Sequence, residues 1–574
     1  MKTIYSIILV SLFLCVAQAS ETSDNHSVQH ETLMLHTDRD LYIAGEYLYY
    51  QLSLVPPSAP ETPSRIAYLA LCGPGNNLIE NVIVRVQNNI AFGSIYLPDT
   101  LSTGPYSLVC FTSRMRSYYS ENHISQPLFI VNRFDETLGK VISRTTEEAS
   151  SGIRSGINQE KDSEKDGFVI QTDKKEYGRR EKVELSIAWD QKERGNISFS
   201  ISVADNRSIL FDGPGGVVSK SRFHHMEGNA SNGFLPETMD MILSGRLKDQ
   251  YGNGLAGERI LLSTPDSVLN LQYAYTEANG DFYFRINDYY LGKPLYISAD
   301  KADTAGSIEV YDKFHFAELV KEQSAAFTAG HPDYIFRTQQ HLRLQKLYET
   351  EYMVSLNGDK TQEGFRPHVY GAARYTILPQ NYTPLRDFRE ISRELISQVR
   401  IRKQRGEYSI RVHDERTAYK FFDAPPAIFL DAIPVNNISE ILHLGSEYLQ
   451  RIEVQNYHWA YGDMRFSGIL ALFSKKHEYQ MLSMPPSSLM LPGFDIPAPS
   501  VFTGPDYSKD AEKLNTIPDL RNMLYWHPNL QLQNAESLFL TFYTGDLKGR
   551  YVITIEGLDE NGKRFSQKSE ITVN

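Results

Sequence analysis

The chain has 574 residues, 41% hydrophobic and 22% charged, a globular composition with room for about four domains. Its formal net charge of -12 argues against a nucleic-acid footprint, which would need a basic face, and gives no reason to expect binding to an anionic membrane surface. No stretch reaches the roughly 18 consecutive apolar residues of a membrane span, so none is expected.

Lys2 precedes an apolar run from residue 7 to 17, and Ala17-Gln18-Ala19 has the small-x-small form of a cleavage site. Residues 1–19 therefore read as a signal peptide and the mature chain as exported. Leu14, bulky where lipoprotein signals carry a small residue, speaks against lipidation at Cys15. Cleavage leaves Cys72 and Cys110, both on predicted strands of one domain. An oxidising compartment permits a disulfide between them; two buried small hydrophobes on neighbouring strands are the alternative.

From residue 31 the chain reads as β. Thr37-Asp38-Arg39-Asp40-Leu41-Tyr42-Ile43-Ala44-Gly45-Glu46 leads into a predicted strand at 47–55, with others at 64–72, 104–110 and 127–131. Short strands at this spacing predict an antiparallel sandwich over 31–135. Residues 136–166 are polar and poor in large apolar groups, a linker composition. The opening then recurs as Thr172-Asp173-Lys174-Lys175-Glu176-Tyr177-Gly178-Arg179-Arg180-Glu181, so a second sandwich begins at 167. Its closing half is late. Tyr106 lies 64 positions after Tyr42 (106 − 42), but the matching Tyr551 lies 374 after Tyr177 (551 − 177). The expectation is a sandwich split between 167–240 and 536–574, because insertion at an exposed loop adds little closure entropy.

The insertion holds several predicted pieces. Turns at Tyr251-Gly252-Asn253-Gly254 and Asn279-Gly280 punctuate strands over 241–310, a small sandwich. Residues 311–375 form a mainly helical connector, with 314–353 nearly free of Gly and Pro. Leu385, Phe388, Ile391, Leu395 and Val399 then repeat every three or four positions, predicting an amphipathic helix over 383–399. An α/β module spans 376–476; 477–535 is rich in Pro and Met and reads as irregular.

Three resemblances attach to these motifs. The D-x3-Y-x2-G-E opening and the Gly104-Pro105-Tyr106-Ser107-Leu108 strand resemble macroglobulin-type domains. Ser244-Gly245-Arg246-Leu247 with the later Gly280-Asp281-Phe282 resembles the carboxypeptidase regulatory-like domain, a seven-stranded Ig-like sandwich that is not itself a peptidase. The order Asp431-Ala432-Ile433-Pro434, Ile452-Glu453-Val454, then Tyr461-Gly462 and Gly468-Ile469 to Ser474-Lys475 resembles the plug of TonB-dependent outer-membrane receptors. It departs from that pattern at Ala432, usually Gly, and Ser474, usually Thr. Together with Pro518-Asp519-Leu520-Arg521-Asn522-Met523-Leu524-Tyr525-Trp526-His527-Pro528, the combination resembles envelope proteins of Gram-negative bacteria. The fold expectation is mainly β: tandem Ig-like, macroglobulin-type sandwiches, the second split around a further sandwich, a helical segment and the plug-like module.

A receptor barrel does not fit. It needs well over 200 residues, and only 99 follow Lys475 (574 − 475). The plug-like unit is thus expected to be an interaction or structural module, with contact to a separate barrel as the sharper alternative. Neither mature Cys lies in the Cys-Gly-Glu-Gln motif of thioester macroglobulins. Gly252 to Gly257 fits GxGxxG by count but joins strands, so no dinucleotide cofactor is expected. His224-His225 lacks partners at ligand spacing, so no metal is expected.

What remains is a set of interaction candidates. Tyr457, His458, Trp459 and Tyr461 form an expected aromatic loop, either a partner contact or buried in its own core. Asp99-Thr100-Leu101, Asp266-Ser267-Val268 and Asp303-Thr304-Ala305 resemble the acceptor of periplasmic O-glycosylation, with ordinary turns as the alternative; Thr100, Ser267 and Thr304 would carry the glycan. The functional expectation is a non-enzymatic interaction scaffold docking onto an outer-membrane or envelope protein complex. A glycan- or peptide-binding capture protein is the alternative, and a hydrolase with dispersed residues the third.

Overall fold

The computed structural model describes residues 30–118, 122–132, 134–135, 167–190, 196–211, 217–218, 234–300, 306–315, 331–348, 353–356, 368–417, 420–509, 516–532, 537–559 and 562–574. The expected signal peptide, the 136–166 linker, Cys15, His224, His225 and Thr304 lie outside them. The chain is mainly β, as its strand-length apolar runs require, and its sheets pair into Ig-like sandwiches.

In the first sandwich the sheet of Thr32–Thr37, Tyr47–Val55 and Ile90–Tyr96 faces a larger one containing Ile66–Gly73, Asn77–Arg85, Gly104–Phe111 and Ile124–Val131. Leu35, Leu48, Leu69 and Leu108 fill the space between. Between Thr37 and Tyr47 the chain crosses to the second sheet, pairs Leu41–Ile43 with Ile124–Val131, and crosses back. Crossings strip backbone N–H groups of ladder partners, and such groups need substitutes when buried. Asp38 Oδ1 accepts from Tyr49 N–H (2.9 Å) and the Tyr42 hydroxyl (2.7 Å), and Glu46 Oε2 accepts from Ile43 N–H (2.7 Å).

The second copy of the motif makes the same bonds 135 positions on (173 − 38). Asp173 Oδ1 accepts from Glu184 N–H (2.9 Å) and the Tyr177 hydroxyl (2.7 Å), and Glu181 Oε2 accepts from Gly178 N–H (2.5 Å). Ile43 pairs in parallel with Val131, and Tyr177 with Val573. The Tyr106 hydroxyl bonds Ser102 O (2.9 Å), four residues back, and Tyr551 bonds Leu547 O (3.3 Å), again four back. Tyr177 and Tyr551 share one core with Val183, Phe199 and Ile553.

This second sandwich sets Glu176–Tyr177, Arg564–Val573, Gly549–Asp559, Ile197–Asp205 and Met523–Leu532 against Ser537–Tyr543, Lys182–Asp190 and Gly167–Thr172. Its returning half therefore starts at Met523, not at 536. Met523–Leu532 is an edge strand, and Pro528 falls where the register shifts between Phe199 and Ile201, a position that needs no ladder donor.

The third sandwich has seven strands among the described residues. Met241–Asp249, Asp281–Ile286 and Gly306–Val310 form one sheet, and Arg259–Ser263, Gln272–Tyr275, Leu295–Ala299 and Ser488–Leu491 the other. Its last strand arrives only after the α/β unit, so the segment expected as irregular at 477–535 supplies strands to two sandwiches and a ribbon strand, Ser500–Phe502, to Met353–Ser355. Its core merges with the outer face of the first sandwich through Tyr68, Phe111 and Val109.

Within the connector the described helix is His331–Tyr348; residues 316–330 and 349–352 of the expected 314–353 stretch lie outside the described residues, and Met353 begins a strand. It wedges Tyr334, Ile335 and Leu342 against Leu41, Ile43, Phe129 and Val131 of the first sandwich. Thr338 accepts a 2.5 Å bond from Asn522 Nδ2 at the second. The expected 383–399 helix is confined to Phe388–Leu395, because Asp387 caps it by accepting from Glu390 N–H (2.9 Å) and Ile396 leaves helical geometry. That helix packs on a five-stranded sheet ordered Tyr375–Ile377, Leu449–Tyr461, Met464–Ser474, Ala427–Leu430, Ile433–Pro434, beside a separate ribbon of Val399–Gln404 and Glu407–Val412.

Candidate functional site

The α/β unit is held by a tight turn and a long hairpin. Leu430 pairs with Ile433 across Asp431 (φ 50°) and Ala432 (φ 65°), a two-residue turn with both central residues left-handed, the geometry that usually selects Gly at the second position. Asp431 then reaches the neighbouring strand end: Oδ1 accepts from Ser474 N–H (2.6 Å) and Oδ2 from the Ser474 hydroxyl (2.6 Å).

The expected aromatic loop is a strand. Tyr457, His458, Trp459 and Tyr461 lie on Leu449–Tyr461, whose hairpin with Met464–Ser474 closes at Gly462-Asp463. Apolar and polar faces alternate there, so half the residues were bound to turn inward. Trp459 stacks on Tyr461 (5.5 Å between ring centroids) and on its cross-strand partner Phe466 (5.2 Å). Tyr461 meets Tyr273 edge-on (5.7 Å) and donates to Leu271 O (2.8 Å), seating the hairpin on the third sandwich. Tyr457 is half-buried and His458 exposed, its ring 4.6 Å from Phe422.

A second seam runs beside this one. His368 stacks on Tyr370 (4.8 Å) and its Nδ1 accepts from Leu269 N–H (2.8 Å), which places the ring proton on Nε2, toward Glu453 (3.5 Å). The Tyr370 hydroxyl donates to the same Glu453 (2.5 Å). Burial pushes the His368 imidazole below its ordinary value, against the pull of Glu453, so the ring is a neutral acceptor.

Between the two seams lies an open cleft of about 440 Å³, lined by Gln272, Arg285, Asn287, Tyr289, Tyr290 and Tyr461 among others. Tyr289 donates to Asp266 (2.9 Å), which also pairs with Lys293 (2.8 Å); burial raises the Tyr289 phenol, with Asp266 adding to the rise. Arg285 is committed to Asp240. The cleft thus presents aromatic faces and side-chain amides, groups that bind neutral polar ligands. Of the expected site residues Tyr461 alone lines it, because the rest of the lining comes from separate stretches around 268–272, 285–290 and 369 that share no local pattern.

Cys72 and Cys110 are free and buried. Their strands are adjacent, but Cys110 pairs with Leu69 and Cys72 with Ser107, three positions along and on the opposite face: Cys110 lies in the first core and Cys72 in the shared third core. A bridge would have to pass through the sheet, so the disulfide alternative is overturned. Thr100 and Ser267 are exposed, Ser267 with its hydroxyl on Asp266 (3.3 Å). No helix among the described residues is long and apolar enough to cross a membrane, and no group of three or more metal-binding side chains occurs among them.

No family model matches the chain and no curated protein matches it. Among solved structures it is similar to the α2-macroglobulin of Salmonella reacted with methylamine, at 9% identity and TM-score 0.24, covering 96% of this chain and 40% of that one. The native α2-macroglobulin of Escherichia coli gives 10% identity and TM-score 0.24 over 96% of this chain and 40% of that one. A tetra-tandem repeat from the extending region of a large adhesion protein gives 8% identity and TM-score 0.14, over 95% and 99%. The chain spans about two fifths of the length of these macroglobulins.

Proposed function

We propose that the chain is a non-enzymatic, exported interaction protein of the Gram-negative envelope that docks onto an outer-membrane uptake or export complex. In this proposal the sandwiches are macroglobulin-like and regulatory-like spacers, and the α/β unit is a plug-like module displayed for a partner. One observation carries it. The α/β unit is carried inside two nested insertions and seated by the Trp459–Tyr461–Tyr273 seam, which leaves its helix and ribbon outside any sandwich core. The motifs with chemistry in them, the two Asp–Tyr–Glu staples and the Asp431 turn, are occupied by backbone bonds. The test is affinity purification of the tagged full chain from detergent-solubilised outer membranes. A stoichiometric membrane-protein partner is expected; a chain that elutes alone and wholly soluble overturns docking.

A second proposal, capture of a glycan or peptide, is favoured by the tyrosine-lined cleft. Saturation-transfer NMR against a panel of neutral oligosaccharides should mark Tyr289 and Tyr461 ring protons. Uniformly negative spectra remove it.

A further inference from the structure

The ribbon of Val399–Gln404 and Glu407–Val412 stands against the charge of its chain. It carries Arg400, Arg402, Lys403, Arg405 and Arg411 against one carboxylate, Glu407, in a protein of net charge -12. Neighbouring arginines are spent locally: Arg386 on Glu390, Arg389 on Asp387, Arg393 on Glu394 and Arg416 on Asp414. Among the described residues Arg400, Arg402, Lys403 and Arg405 form no ion pair, and Arg411 has only the exposed Asp423 at 3.8 Å. All five cations are exposed.

Among the described residues the ribbon also has an open edge. It forms a two-stranded sheet of its own, turning at Arg405 (φ 51°) and Gly406 (φ 91°). His413 N–H bonds Gln398 O, so in the alternating antiparallel ladder Arg400 and Arg402 spend their backbone groups on the partner strand. The N–H and C=O groups of Ile401 and Lys403 then point outward. The Ser392 hydroxyl takes the Val399 carbonyl (3.1 Å), which limits the open edge to Ile401–Lys403. Arg400 and Arg402 lie on one face beside that edge, roughly 6.6 Å apart at the two-residue strand repeat, with the Arg400 guanidinium over the Phe421 ring (4.0 Å).

We propose that this edge receives an extended acidic segment of a partner protein as an added strand, its alternate carboxylates taken by Arg400 and Arg402. The proposal deepens the docking reading above by naming the partner's chemistry. Added strands gain affinity from main-chain bonds and specificity from alternate side chains, and guanidinium groups suit carboxylates by their planar double donation. An anionic lipid surface fits less well. It cannot use the outward N–H and C=O groups, and the tip, Gln404-Arg405-Gly406-Glu407, offers no apolar anchor.

The probe is a fluorescein-labelled ten-residue peptide alternating Thr and Glu, titrated into the full chain by anisotropy at low salt. Controls are the Thr-Lys and Pro-Glu versions; the latter keeps the charge but cannot donate to an edge. Arg400→Gln with Arg402→Gln should weaken Thr-Glu binding at least tenfold. Lys403→Pro, which removes an outward N–H and no ladder bond, should do the same, and the control peptides should bind at least tenfold more weakly. Equal binding of Thr-Glu and Pro-Glu, or of wild type and the arginine variant, overturns strand addition. So does arginine-dependent binding to phosphatidylglycerol vesicles without peptide binding, which assigns the ribbon to lipid. Self-association of the arginine variant with no peptide binding by wild type overturns it too, since the charges would then only guard the edge. Recovery of the same membrane partner by wild type and the arginine variant would leave docking intact and remove the ribbon from it.

Discussion

Asp38 and Asp173 make the same bonds in different surroundings, and the surroundings decide what the bonds are worth. Burial raises the Asp38 carboxyl despite Arg39 beside it. At Asp173 burial also pushes upward, but the Glu184 N–H and Tyr177 hydroxyl outweigh it and the net direction is down. Deleting the hydroxyl that each tyrosine donates should therefore be unequal. Tyr42→Phe strips a donor where no water can replace it and should cost about 2–3 kcal/mol; Tyr177→Phe, beside an exposed carboxylate, about 1 kcal/mol. Urea denaturation of both variants measures this, and an equal or reversed order would sink it. Two histidines at the junction of the sandwiches make a pH prediction. His36, bonded to Ser200 (2.6 Å), and His341 on the connector helix are both lowered by burial to about 4. Their folded values lie below the ordinary 6.5, so the stability they contribute is complete above pH 6.5 and drains as pH falls toward 4, roughly 3 kcal/mol for each. Asp40, raised by burial to about 7, gains stability as pH falls through the same window, so the variant supplies the reference. The wild-type urea midpoint should lose more, or gain less, between pH 7.5 and 5.0 than that of the His36→Asn/His341→Gln chain. Equal pH dependence in the two chains contradicts this.

The Asp431 turn makes one element depend on another. Asp431→Ala removes the acceptor of Ser474 N–H and hydroxyl at a buried strand end and should cost about 2–3 kcal/mol, read as faster amide exchange across Met464–Ser474. Asp431→Asn keeps an acceptor and tolerates the left-handed backbone, so it should recover part of the protection. Unchanged exchange in the alanine variant would show that the turn holds without its side chain. The Asp–Tyr–Glu staples were legible because each is a short run of residues whose bonds stay within about a dozen positions, and the Asp431 turn because its backbone motif is local although its side chain bonds Ser474, 43 positions on. The fold class was legible for a similar reason, since strand-length apolar runs carry their own period. Other elements were hidden by context. Met523–Leu532 carries Pro528, which argues against a strand until its edge position and register shift are known. Ser488–Leu491 is too short to signal itself and becomes a strand through pairing with Leu295–Ala299. The aromatic run at 457–461 looked like a loop because aromatic density says nothing of which rings turn inward. Cys72 and Cys110 looked bridgeable because neighbouring strands were visible in the sequence and their faces were not. The cleft and the open ribbon edge depend on which strands meet, which no local pattern encodes.

The nesting of the chain sets an order on its assembly. Within the α/β unit the longest sheet pairing, Tyr375 with Val454, spans 79 positions (454 − 375). The third sandwich closes Leu295 on Leu491 across 196 (491 − 295), and the second closes Leu185 on Leu540 across 355 (540 − 185). Closing a loop 355 residues long rather than 79 costs about 1.3 kcal/mol more, roughly a tenfold delay if nothing else intervenes. Prior folding of the insert removes much of that penalty, because a folded insert brings its two ends together, and this makes the inner units a precondition for the outer one. The expected sequence is inside first. In pulse-labelled refolding, amides of Val454 and Leu470 should gain protection first, Ile297 next, and Ile201 and Ile555 last. Weakening the inner unit should slow the outer one: Asp431→Ala, far from the second sandwich, should delay protection of Ile555 as well as of Leu470. If Ile201 and Ile555 are protected before Leu470, or if Asp431→Ala leaves their timing untouched, the second sandwich closes around an unfolded insert and the nesting has no kinetic consequence.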